Sequence, residues 1–166
     1  MEPKIISRNY FLVGFEDKIE LNDKHWHGMD VVKSALKENL CKIKNKVEPI
    51  RFFGLWMVDP DVDYNKSENH SKRMYFFGVE VTNMNDFSPN CKTKTLPESK
   101  YAVFKEREHG TTQMYEWLKT SGYVRNDKIV PALMLDMEVL EQFYNEKDQW
   151  YDGIEWEVLI PIQEKT

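Results

Sequence analysis

Carboxylates set among apolar residues are the feature of this chain that most invites chemistry. In "PALMLDMEVLEQFY" (Pro131 to Tyr144), Asp136, Glu138 and Glu141 stand among Leu133, Met134, Leu135, Met137, Val139 and Leu140. An acid shielded from water must be hydrogen-bonded, protonated or matched by a cation. Strand alternation puts Leu133, Leu135, Met137 and Val139 on one face, and Met134, Asp136, Glu138 and Leu140 on the other. Glu138 therefore occupies a mixed face, and two readings stand: a solvent-facing strand position, or a counter-charge for a cationic guest. Five tryptophans, Trp26, Trp56, Trp117, Trp150 and Trp156, divide in the same way. Each supplies core area of about 150–250 Å², or lines a cavity whose ring faces take planar or cationic ligands.

Other candidate chemistry is weaker. In "DPDVDYN", a calcium loop counted from Asp59 meets Tyr64 where Gly is needed and His70 where a bidentate Glu is needed. Counted from Asp61, the same positions hold Lys66 and Lys72, so a solvated turn is expected. His25 and His27 alternate just before a helix, but no further ligand stands at a recognisable spacing, and His70 and His109 are isolated. No Gly-rich phosphate loop or nucleophile elbow is present. Neither a metal nor a cofactor is expected.

The bulk numbers narrow the function classes. The chain has 166 residues, 41% of them hydrophobic, which suffices for one domain with a sizeable core. A net charge of -5, from 23 basic and 28 acidic side chains, speaks against direct binding to nucleic acid or to an anionic membrane. Cys41 and Cys91 lack a CxxC spacing and read as reduced thiols, the first in a helical pattern and the second in a polar loop. The N-terminus lacks the order of a signal peptide, and no apolar run approaches the roughly 20 residues of a membrane span. A cytoplasmic protein is expected.

The elements that must position these residues repeat. "NYFLVGFEDKIEL" (Asn9 to Leu21) reads as a strand, and Trp26 to Asn45 as a helix with Met29, Val32, Leu36, Leu40 and Ile43 on one stripe. Lys33, Lys37, Glu38, Lys42 and Lys44 fall largely off that stripe. "IRFFGLWMVD" and "RMYFFGVEVTN" form a candidate hairpin, each with one glycine, Gly54 and Gly78, marking a bulge or a close backbone approach. After a polar, proline-containing linker come a strand (Lys100 to Glu108) and a helix (Thr111 to Gly122), with Met114, Trp117 and Leu118 inward and Gly122 as its cap. "ALMLDMEVL" and "IEWEVLIPI" add two strands. The expected fold is α+β: a single domain over residues 1–166, with half-modules at about 1–84 and 98–166 and a linker at 84–98. Two βαββ modules in pseudo-twofold arrangement would share a largely antiparallel sheet with two main helices.

"YAVFKEREHG", "YEWLKTSGY", "DMEVL" and "EWEVLIPI" resemble the GyrI-like family, the effector-binding domain of AraC-type regulators. "IRFFGLWMVDP" and "YFFGVEV" extend the resemblance over nearly the whole chain. It implies a central groove that takes hydrophobic, often cationic, small molecules between aromatic walls, with a buried Glu on the penultimate strand. That Glu carries over onto Glu138; the aromatic usual two residues later is Leu140 here, which leaves Glu141, followed by Phe143, as the rival. Trp56 and Tyr75 are implied as groove residues, with Phe53, Met134 and Trp117 as further ligand-binding candidates. Because the first strand starts close to Met1, the resemblance is to stand-alone members without a DNA-binding domain. Three roles follow from it. The chain is expected to be a small-molecule sensor or sequesterer, with a transcription-related setting implied by the resemblance; the alternatives are a hydrolase of strained electrophiles using Glu138 with Tyr75 or Tyr101, and an inhibitor that contacts DNA gyrase or another protein partner.

Overall fold

The computed structural model describes residues 2–22, 24–85, 90–105, 111–126, 137–140 and 156–166, and of residues 25, 26, 111, 137–140 and 156 the backbone path. The first module runs β1 (Lys4–Glu20), α1 (His25–Asn39), β2 (Phe52–Met57) and β3 (Lys72–Glu80). The second runs β4 (Lys92–Lys105), α2 (Thr111–Thr120), a short β5 (Tyr123–Arg125), β6 (Met137–Leu140) and β7 (Trp156–Glu164). The βαββ order thus occurs twice, the second time with the short β5 added after the helix, and the fold is α+β as expected. Among the described residues every strand pairing is antiparallel, in the order β4-β1-β3-β2-β6-β7-β5, and β4 also pairs with β7, so six strands close on themselves while β5 extends the far end of β7. The modules join at β1–β4 and at β2–β6, as a pseudo-twofold arrangement requires.

Curling six strands back on themselves demands tight coiling, which small residues permit. Gly14 stands opposite Gly78. A Cβ at Gly14 would collide with the Phe77 carbonyl oxygen, and one at Gly78 would lie 2.5 Å from that of Val13. The close approach expected at Gly78 is therefore real, and what approaches is the neighbouring strand.

Alternation sorts the strands into two faces. Inside lie Tyr10, Leu12, Phe53, Leu55, Phe76, Leu96, Tyr101 and Leu159. The outer face is covered in two places. α1 lays Met29, Val32 and Leu36 over Val13, Phe52, Trp56, Tyr75 and Phe77. α2 lays Met114, Trp117 and Leu118 over Ala102, Phe104, Val158 and Ile160. Each fully buried aliphatic side chain contributes about 1.5–3 kcal/mol, so these stripes fasten the helices.

Four local expectations need correction. The first helix ends at Asn39 and tightens into a 3-10 turn at Leu40–Lys42. β4 begins at Lys92, inside the segment taken as a linker; Pro97 is accommodated where the β1–β4 register shifts between Arg8 and Tyr10, a bulge that needs no ladder N–H. Cys91 is buried in the α1 core rather than in a polar loop, its side chain brought inward at the start of β4. Gly122 leaves α2 without a left-handed turn; Lys165 Nζ donates to the carbonyls of Ser121 at 2.8 Å and Lys119 at 3.3 Å, meeting the orphan acceptors that a glycine cap would otherwise satisfy.

Candidate ligand-binding face

On the outer face of β2 and β3, aromatic residues recur at alternate positions, Phe52 and Trp56 on one strand and Tyr75 and Phe77 on the other, and build a shelf of rings beneath α1. Trp56 pairs with Tyr75, their ring centroids 4.7 Å apart. Tyr75 lies 6.4 Å from Phe77, nearly parallel at 16°, and Phe77 lies 6.0 Å from Phe52 at 11°. All four are buried. Offset, near-parallel rings of this kind expose faces with negative potential toward whatever lies above them. Above them lies Lys33 of α1. It is only 5% exposed, and its ammonium sits 5.4 Å from the Phe77 centroid and 5.9 Å from that of Tyr75. Both separations are within cation–π range. The sequence placed Lys33 off the apolar stripe. One signal could have found it: Lys33 is four residues after Met29 and three before Leu36, beside the buried row on a helix surface.

Glu138 belongs to the same row by register. Its Cα partner on β2 is Gly54, whose partner on β3 is Phe77, whose partner on β1 is Phe15. On its other side Glu138 is paired with Val158, which is paired with Phe104 on β4. Directly opposed residues share a face, so this six-strand row crosses the helix-bearing side from the α1 core to the α2 core. Gly54 contributes no side chain between the positions of Glu138 and Phe77. The alternation read from the sequence holds in the backbone: Glu138 and Leu140 take the row of Gly54 and Phe52, while Met137 and Val139 take that of Leu159 and Phe53. Met134 and the rival Glu141 lie outside the described residues.

The remaining expected site residues do not join this shelf. Phe53, next to Gly54, turns to the inner face and packs 5.4 Å from Tyr10. Tyr101 is there too, its ring edge-on to Tyr10 at 5.4 Å. Burial pushes the Tyr10 phenol up to about 12 against the opposing pull of the Arg8 guanidinium, and burial raises that of Tyr101 as well. Both remain protonated at neutral pH. The Tyr101 hydroxyl is buried without a hydrogen-bond partner among the described residues. A hydrolase using Glu138 together with Tyr101 would need two groups on opposite faces of one sheet; Tyr75 alone shares the row's face. Trp117 sits apart on α2, edge-on to Phe104 at 5.5 Å and stacked on Tyr123 at 5.8 Å, its indole N–H donating to Glu2 at 2.9 Å.

The acidic loop is less solvated than its composition suggests. Asp59 is 3% exposed, accepts the Asp61 backbone N–H at 3.0 Å and lies 3.5 Å from Lys18. It organises its own turn at the rim of a cavity of about 440 Å³ floored by Met57 and Met74, where Lys94 and Glu16 pair at 2.7 Å. Among the described residues no group of His, Cys, Asp and Glu is placed to hold a metal ion, and no helix is long and apolar enough to cross a membrane.

Relatives share this architecture. The family described as Cass2, integron-associated effector binding protein, matches residues 8–162. The structure of SAV2435 bound to tetraphenylphosphonium is similar at a TM-score of 0.61 and 18% identity, covering 98% of this chain and 94% of that one. A putative transcription regulation protein from Staphylococcus aureus MU50 is similar at 0.56 and 16% identity, covering 98% and 99%. The EcmrR C-terminal domain is similar at 0.55 and 13% identity, covering 99% and 100%. No curated protein matches the chain.

Proposed function

The chain belongs to the integron-associated effector binding family, a small-molecule-binding family, and on that premise we propose that it binds a bulky aromatic cation on the ring shelf between α1 and the sheet, as a cytoplasmic sensor or sequesterer. The observation that carries this reading is the row Phe77, Gly54, Glu138, with Trp56 and Tyr75 beside it. It aligns π faces, a glycine position without a side chain and one carboxylate position on a single face. Ring contacts provide affinity for any flat or arylated guest, while the carboxylate discriminates by charge. The shelf is roofed by α1, so binding couples to displacement of that helix or of its side chains, a movement a sensor can transmit. That SAV2435, of the same fold, is bound to tetraphenylphosphonium makes this cation the natural first probe.

Calorimetric titration of Glu138→Gln with tetraphenylphosphonium and with neutral triphenylphosphine oxide tests the reading. Cation affinity should drop about tenfold or more while the neutral compound is held almost as before. Equal loss for both probes would make the acid structural, and absence of cation binding in the unmodified protein would end the proposal.

A further inference from the structure

Lys33 is the charged group on the shelf to which the proposed function assigns no role. It is a charged side chain buried to 5% exposure in an otherwise apolar helix stripe, with its ammonium over the faces of Phe77 and Tyr75. Burying a lysine is costly, and a methionine or leucine at this helix position would serve packing alone. The ammonium lies where a guest's positive charge would gain most: above two stacked rings and on the face that carries the Glu138 row.

We propose that Lys33 is a specificity-determining residue, a tethered cation that occupies the cation position of the effector site and must be displaced by the ligand. The inference rests on the reading that this shelf is the ligand site. A lysine suits the task because its four-carbon stem can swing the ammonium toward water while the methylenes stay against apolar surface. Displacement sets a threshold. A compact alkylammonium offers the rings no more than Lys33 already does, and it lacks the advantage of being attached to the chain. A cation carrying several aryl groups brings additional buried apolar area and ring contact, enough to exchange for the ammonium. The shelf thereby selects bulky delocalised cations over small ones. An arylated anion of the same shape faces no such competition, since the ammonium can stay beside it.

Charge-mirrored probes separate these effects. Tetraphenylphosphonium and tetraphenylborate have nearly the same shape and opposite charge, and their binding can be followed by calorimetry to the unmodified protein, Lys33→Met and Lys33→Arg. Methionine keeps the stem's bulk without charge, and arginine keeps the charge. In Lys33→Met, affinity for the phosphonium should rise about tenfold and affinity for the borate should fall, while Lys33→Arg should preserve the ranking of the unmodified protein. A gain for both probes in Lys33→Met would show that the lysine is only a polar obstruction, and unchanged affinities would show that its ammonium does not share the ligand's position; either result overturns this inference while leaving the ring-shelf site standing. If the phosphonium binds none of the three proteins, the inference and the site fall together. Melting temperatures of the variants guard against a folding defect, since loss of structure weakens both probes alike.

Discussion

Phe53 and Trp56 stand three residues apart on β2 and belong to different environments. Phe53 turns inward to Tyr10, Tyr101 and Leu159, a cluster at whose edge the Arg8 guanidinium lies 4.1 Å from the Tyr10 ring centroid. Trp56 turns outward, to a row of rings that meets the ammonium of Lys33. The same strands thus present an inner face edged by ion pairs, Arg8 with Glu80 and Lys94 with Glu16, and an outer shelf of rings that lies with Lys33 beneath a helix. The comparison teaches that an aromatic-rich composition does not locate a binding site. Both faces place a cation over rings, so the location rests on which face carries the Glu138 row and lies beneath α1.

The largest effect that would sharpen this contrast is in stability. Phe53→Ala should cost about 3–5 kcal/mol in urea unfolding, because the inner face cannot collapse around the missing ring. Trp56→Phe keeps most of the packing and should cost about 1 kcal/mol, yet lower affinity for tetraphenylphosphonium severalfold. If the inner substitution changed ligand affinity at constant stability, the assignment of faces would be broken.

The next effect concerns pH. Burial holds the Tyr10 phenol at about 12 in the folded chain, above the ordinary value near 10. A raised folded value means that the folded state keeps its proton longer. The stabilisation is fully present below pH 10 and is lost as pH rises toward 12, by about 2–3 kcal/mol. Denaturation series between these pH values should show that decline, and Tyr10→Phe should reduce its slope. A flat profile would mean that water reaches the interior phenols.

The smallest effect tests how far along the outer face the site extends. Trp117→Phe removes the indole bond to Glu2 while keeping a ring against Phe104, and should cost about 1 kcal/mol in thermal unfolding. Phosphonium affinity should not move if the site is confined to the α1 side. A loss would extend it across the Glu138 row to α2.

Which residues form strands was readable because aromatic and β-branched runs at period two leave few alternatives, and the repetition of strand, helix, strand, strand exposed the two-module plan. The stripe Met29, Val32, Leu36 likewise announced α1. Legibility ended where a residue's role depends on a distant partner. Trp56, Tyr75, Phe53 and Trp117 looked equivalent as aromatic candidates, but parity along each strand and the choice of covering helix split them among three cores. Pro97 looked like a linker residue because a bulge is created by the opposing strand, not by the proline.

The sequence by itself determined the local periods, the duplicated order and the face-sharing of Glu138 with Leu140, since these depend on backbone repeat alone. Only the tertiary structure decided that β4 meets β7, that Gly54 separates Glu138 from Phe77, and that Lys33 lies over the rings. These are contacts between residues far apart in the chain, fixed by how the strands pair and how α1 is set down, and no local pattern encodes them.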